Sequence, residues 1–190
     1  IGVLGSTKGT DLQAILNAIE EKTIDASIKI VISNKENALI LKRAKDHKVN
    51  FKYISHFNRT RKDFDKQVSD CLEENNVELI LLIGFMRILS KKILLEFNYK
   101  VINLHPSLLP SFPGLHSIEK AFNKKVKITG CTVHWVNEEI DEGEIIAQVP
   151  VRIMNSDDLE LVKQKVHAAE HMLLPWVIRD LANGTISFLK

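Results

Sequence analysis

The chain has 190 residues, 45% hydrophobic and 26% charged, the size and balance of one ordinary globular domain with room for a sizeable core. Its 26 Lys and Arg against 24 Asp and Glu leave a formal charge of +2, which argues against a general nucleic-acid binder. No apolar run approaches the ~20 residues that span a bilayer, and two distant cysteines, Cys71 and Cys131, point away from a disulfide framework or a cysteine zinc site and toward a reducing, cytoplasmic setting.

Ile1-Gly2-Val3-Leu4 reads as a buried strand, and nothing in it resembles the basic region and cleavage site of a secretory leader. Leu12, Ile15, Leu16 and Ile19 recur at helical spacing, which predicts a helix over 11–21. Strands are predicted over 28–32 and 51–54, with a helix over 37–47 between them. An amphipathic helix over 61–74 presents Phe64, Val68, Cys71 and Leu72 on one face and ends at Asn75-Asn76. The most apolar run, 77–83, stops at Gly84; a short helix over 91–97 and a strand over 101–105 follow. Near-continuous Ile, Leu and Val strands separated by helices mean strands covered on both faces. The expected fold is therefore α/β, a single-domain, doubly wound, mostly parallel sheet of Rossmann-like type.

Strands over 128–136 and 144–151 have no long helix between them, so antiparallel pairing is expected late in the chain. Ser156-Asp157-Asp158 should open the last helix, with Pro175 kinking or breaking it. A final strand is expected over 185–189.

In such sheets ligands bind beyond the carboxyl ends of the strands. The first candidate there is Gly5-Ser6-Thr7-Lys8-Gly9-Thr10-Asp11, a strand-to-helix loop that could hold a phosphate on backbone N–H groups. It is neither a Walker A motif nor a good GxGxxG. A plain turn with Thr10 or Asp11 as N-cap is an equal reading, and the Asp11 carboxylate would repel an anion unless it points away.

The sharper candidate is Asn103-Leu104-His105. Residues i and i+2 of a strand face the same side, so an amide and an imidazole should project together at a strand end, suited to an oxyanion or a carbonyl under attack. Pro106, Pro110, Pro113 and Gly114 then stiffen the following loop. Glu138, Glu139, Asp141 and Glu142 crowd a turn closed by Gly143. Spacing alone favours a solvated turn, while the functional reading has one carboxylate orienting His105 or a water. His134 reads as a packed or edge histidine, and Glu170 and His171 as part of an exposed helical face. No histidine shows metal-ligand spacing, so no metal is expected.

Gly84-Phe85-Met86-Arg87-Ile88-Leu89, Asn103-Leu104-His105-Pro106-Ser107-Leu108-Leu109-Pro110 and Pro113-Gly114-Leu115-His116 together resemble the folate-dependent phosphoribosylglycinamide formyltransferases of purine synthesis. The resemblance runs in order along nearly the whole chain. It implies formyl transfer from 10-formyltetrahydrofolate, as co-substrate, to the amine of glycinamide ribonucleotide. It further implies a catalytic trio of Asn103, His105 and Asp141. Gly9, Thr10 and Asp11 match the nucleotide-phosphate loop, Arg61 a basic residue near that phosphate, and Glu170 the acid that meets the ribose. Met86, Arg87, Ile88 and Leu89 match a wall of the folate pocket, and the turn from Val136 through Ile140 to Asp141 its lid. One domain over 1–190 would comprise a nucleotide-phosphate half (about 1–100) and a catalytic and folate half (about 101–190). It would act on small molecules, without nucleic acid or membrane, as a monomer or homodimer. The chain departs from the family in its first loop, where Thr7-Lys8-Gly9-Thr10-Asp11 replaces the usual Gly-x-Gly-Ser-Asn.

Three rivals remain at this level. Methionyl-tRNA formyltransferase resembles the chain around 103–110 but normally adds a tRNA-binding domain. A formyl-folate hydrolase would use water in place of the amine. A non-catalytic Rossmann-like module would keep the Gly9-Thr10 loop and need no trio. A dinucleotide dehydrogenase fits worse, since Ser33-Asn34 stand where an acid should bind the ribose.

Overall fold

The computed structural model describes residues 1–188. Seven strands form one sheet: β1 (Gly2–Gly5), β2 (Ile30–Ser33), β3 (Phe51–Tyr53), β4 (Ile80–Ile83), β5 (Val101–His105), β6 (Ile128–Trp135) and β7 (Ile145–Arg152). Their spatial order is β3-β2-β1-β4-β5-β6-β7. The first five run parallel, while β6 is antiparallel to both β5 and β7, as the loss of a long helix late in the chain leads one to expect.

Six helices cover the sheet: α1 (Thr10–Glu20), α2 (Leu39–Asp46), α3 (Arg61–Glu74), α4 (Lys91–Glu96), α5 (Ser117–Asn123) and α6 (Leu159–Ala182). Strand alternation sorts the core into two layers. Val3, Val31, Leu81 and Ile102 pack with α1, α2, α5 and α6. Leu4, Ile32, Leu82 and Val101 pack with Phe64, Val68 and Leu72 of α3 and Ile93 and Leu94 of α4. Asn103 and His105 lie two and four residues beyond Val101, so they project on the α3–α4 side, where the apolar layer gives way to a cleft.

Several local expectations are corrected. The N-cap of α1 is Gly9, not Thr10 or Asp11: the chain enters the helix through a left-handed residue (φ 68°) and no side chain caps it. Only glycine suits this corner, since a Cβ there would sit 2.5 Å from Ile40 Cγ1. Pro175 does not break the last helix, which runs unbroken for 24 residues from its Asp158 N-cap, whose side chain accepts from the Leu161 N–H. Its missing N–H removes one bond from a helix held by ten buried residues along its length. Helix α5 had no counterpart among the expected elements. Residues 185–188 form no strand, and Leu189 lies outside the described residues.

Candidate active site

The carboxyl end of β5 and the segments around it enclose a cleft of about 470 Å³. Asn103, His105 and Asp141 all line it, so the three distant side chains converge. Each arrives by a different device. The period-2 strand aims Asn103 and His105 together, and Asp141 is brought over them by the 136–144 turn, where it adopts a left-handed conformation (φ 57°).

The turn is held down at Gly143. A Cβ at that position would fall 1.6 Å from the Trp135 carbonyl oxygen, so only a bare backbone can close against β6 there. The Trp135 N–H donates to the Glu144 carbonyl at 2.9 Å and seals the same corner.

Asp141 Oδ2 accepts the Gly114 N–H at 2.7 Å and stands 3.3 Å from His105 Nδ1. The other His105 nitrogen, Nε2, lies 3.0 Å from the Phe112 carbonyl oxygen. Each ring nitrogen therefore has an oxygen acceptor close by. The Phe112 carbonyl is fixed in turn by Ser107, whose hydroxyl donates to the Ser111 carbonyl at 2.5 Å and the Phe112 carbonyl at 3.3 Å. Thr132 braces the loop from below, donating to the Ser107 carbonyl at 2.6 Å and accepting the Leu109 N–H at 3.1 Å. The proline-rich loop is thus tied to the site at both His105 and Asp141.

His134 belongs to this site, not to a merely packed or edge position. It is 2% exposed, its Nε2 lies 3.1 Å from Asn103 Nδ2, and 3.7 Å from Asp141 Oδ1. Antiparallel register explains this: His134 pairs directly with Asn103, and directly opposed residues share a face. Burial holds its imidazole below the ordinary histidine range.

The remaining walls are mostly apolar. Met86, Arg87, Ile88 and Leu89 line one side, Val136 and Ile140 the other. Met86, Ile88 and Ile140 are 50%, 53% and 54% exposed, so the cleft presents apolar surface to whatever flat group enters. Arg87 lays its guanidinium over the Phe64 ring, 4.7 Å from the centroid. The Met86 segment is anchored to the first loop by Ser6, which accepts the Met86 N–H at 3.1 Å and donates to Asn34 Oδ1 at 2.6 Å.

Asp11 and Glu170 also meet, in a second cluster between α1 and α6. Glu170 is buried, contrary to the exposed-face expectation, and its Oε2 lies 2.7 Å from His167 Nδ1, which raises the His167 pKa. Asp11 leans toward α6: its Oδ1 stands 3.7 Å from His171 Nε2, and neither atom has a hydrogen-bond partner among the described residues. Burial, then the nearby Glu170 charge, pushes the Asp11 carboxyl up to about 6.

Arg61 lies beside the Leu89 segment. It donates to the Leu89 carbonyl, approaches Asp65 at 3.9 Å, and lines a neighbouring depression with Lys62, Lys66, Lys91 and Lys92 whose walls contain none of residues 9–11. Among the described residues no cluster of three or more His, Cys, Asp or Glu could hold a metal ion, and no helix is long and apolar enough to cross a membrane.

With this geometry in hand, the likeness to known proteins is specific. Residues 1–178 match the formyl transferase family model. The phosphoribosylglycinamide formyltransferase of Bacillus subtilis is 37% identical over 180 residues, covering 94% of this chain and 92% of that protein. The human trifunctional purine biosynthetic protein adenosine-3 is 38% identical over 187 residues, of which this chain spans only 18% of the length. The crystal structure of glycinamide ribonucleotide transformylase 1 from Symbiobacterium toebii superposes with a TM-score of 0.95 at 37% identity, covering 99% of this chain and 89% of that one. The chain belongs to the formyl transferase family.

Proposed function

We propose that the chain transfers a formyl group from 10-formyltetrahydrofolate to the primary amine of glycinamide ribonucleotide, a step of de novo purine biosynthesis. The observation that carries this is the convergence of Asn103, His105 and Asp141 at the end of an apolar cleft. Such a cleft suits a flat pterin-like ring, with the transferable formyl carbon delivered to the polar end. The B. subtilis and S. toebii proteins, named phosphoribosylglycinamide formyltransferase and glycinamide ribonucleotide transformylase, support the acceptor and the transferred group.

The amine nitrogen attacks the formyl carbon, forming a C–N bond while the carbonyl electrons move onto oxygen. Asn103 donates an amide hydrogen to that oxygen. His105 donates a charged N–H, because a full oxyanion out-competes the neutral Phe112 carbonyl for it. Asp141 keeps the imidazole cationic and accepts the ammonium proton of the adduct through a water, which passes it to the folate nitrogen as that C–N bond breaks.

Met86, Arg87, Ile88, Leu89, Val136 and Ile140 would hold the folate ring. Arg61, seated on the Leu89 carbonyl, fits the outer, carboxylate-bearing end of the folate better than the nucleotide phosphate. The phosphate would rest on the first turn of α1, where Gly9, Thr10 and Asp11 leave backbone N–H groups without a side-chain cap. Glu170 would meet the ribose hydroxyls. The nucleotide half over about 1–100 and the catalytic half over about 101–190 share the cleft, since residues 86–89 come from the first. The chain would work on small molecules in the cytoplasm, as a monomer or homodimer.

The test is release of tetrahydrofolate from 10-formyltetrahydrofolate by the purified chain. Release only when glycinamide ribonucleotide is present is the expected result. Release without the nucleotide would mean hydrolysis, and no release under either condition would leave only a binding module.

A further inference from the structure

His134 is buried on β6, outside the trio, and its ring admits one protonation pattern. Its Nδ1 lies 2.9 Å from the Trp135 carbonyl oxygen, which can only accept, so Nδ1 carries hydrogen. Burial favours the neutral ring, so Nε2 presents a lone pair. The Asn103 atom 3.1 Å from that lone pair must then be the amide nitrogen. The second hydrogen of the same nitrogen points toward Asp141 Oδ1 at 3.5 Å, a long contact. Turning the amide over would set its oxygen against both the Nε2 lone pair and the Asp141 carboxylate. Only one orientation of Asn103 is therefore tolerated.

We propose that neutral His134 is a positioning residue: as a fixed acceptor it holds the Asn103 amide nitrogen toward the reacting oxygen, one hydrogen engaged by His134 and the loosely held one free for the oxyanion. This rests on the formyl-transfer role given to Asn103 above. Protonation of His134 would place an N–H against the amide N–H, turn Asn103 over and offer the developing oxyanion an acceptor instead of a donor. The titratable groups facing the ring are Asp141 on the turn, which favours its protonation, and His105 on β5, which opposes it; its β7 neighbours Ile145 and Ala147 are apolar. Burial is the largest influence and keeps the ring neutral at and above neutral pH.

The experiment compares kcat, folate KM and thermal unfolding for the parent, His134→Leu, His134→Gln, Asn103→Ala and the Asn103→Ala/His134→Leu pair. Gln can reach with an acceptor oxygen to about where Nε2 sits and does not titrate. His134→Leu should lower kcat by about 10- to 100-fold, with KM little changed. The same substitution should cost less than about twofold in the Asn103→Ala background, since residues acting through one another are not additive. His134→Gln should restore most of the loss, and its acid limb of kcat should lie at lower pH than the parent's. Equal losses from His134→Leu in both backgrounds would overturn the proposal. If His134→Leu does not fold, His134→Gln decides alone: an unmoved acid limb, or turnover as poor as that of Asn103→Ala, overturns it. Parent-like turnover by Asn103→Ala is a separate result, which would remove Asn103 from the mechanism and this inference with it.

Discussion

Asp141 approaches His105 from a different part of the chain, Oδ2 to Nδ1 at 3.3 Å, and both side chains are almost wholly buried, at 10% and 7% exposure. A carboxylate beside an imidazole at this depth is weakly screened, so the two side chains interact more strongly than a surface pair would. The same oxygen takes the Gly114 N–H, which ties the rigid loop and the turn to one atom.

Removing the amide donor isolates its contribution. For Asn103→Ala, turnover should fall by a few hundredfold, corresponding to about 3–4 kcal/mol of barrier, as for loss of a single oxyanion donor. Folate affinity should hardly change, because the apolar walls are untouched. Steady-state kinetics with an equilibrium folate titration checks both, and turnover within threefold of the parent would contradict the role.

Gly143 positions the acidic turn by lacking a side chain. For Gly143→Ala, the new Cβ meets the Trp135 carbonyl oxygen at 1.6 Å unless the turn moves. Overpacking of this kind costs about 1–3 kcal/mol, and a shift of about 1 Å in a catalytic group costs on the order of 10²-fold in rate. Urea unfolding and kcat should therefore both suffer. Loss of stability with full turnover would mean that the position of Asp141 does not depend on this corner.

Asp11 makes a pH-dependent stability difference. Its folded pKa of about 6 lies above the ordinary value of 3.8. The folded state thus binds more protons than the unfolded state between those values, and this group's contribution falls as pH rises through that window. Asp11→Asn removes the effect. The variant should match the parent near pH 4, gain on it up to about pH 6, and stay ahead by about 1–3 kcal/mol at higher pH. Chemical denaturation at several pH values checks this; a variant less stable than the parent at pH 7.5 would show that the Asp11–His171 contact is a net stabilising ion pair.

Much of this was legible before the structure. Helix α3 begins at Arg61 and ends at Glu74 as its apolar spacing indicates, and β5 spans the expected Val101–His105. Asn103 and His105 could be paired because two residues along a strand share a side, whatever the strand packs against. His134 could not. Its place opposite Asn103 depends on the register of β6 against β5, and the connection between them is too long for turn geometry to set it. Asp141 is one of four acids in five positions, and spacing alone cannot choose among them. The choice is made by Gly143 and by the left-handed backbone at Asp141 itself, both tertiary facts. Gly9 escaped notice as an N-cap because hydroxyl and acidic neighbours satisfy the usual side-chain rule, while the chain uses a left-handed entry instead.

The most direct test is single-turnover formyl transfer by Asp141→Asn beside the parent, both substrates saturating. The substitution preserves shape and removes the charge that faces His105 Nδ1. A folded variant with near-parent affinity for both ligands and a transfer rate lowered by about 10³- to 10⁴-fold is the expected result. Transfer within tenfold of the parent would contradict the role of the converged trio and return the acidic turn to a solvated surface feature.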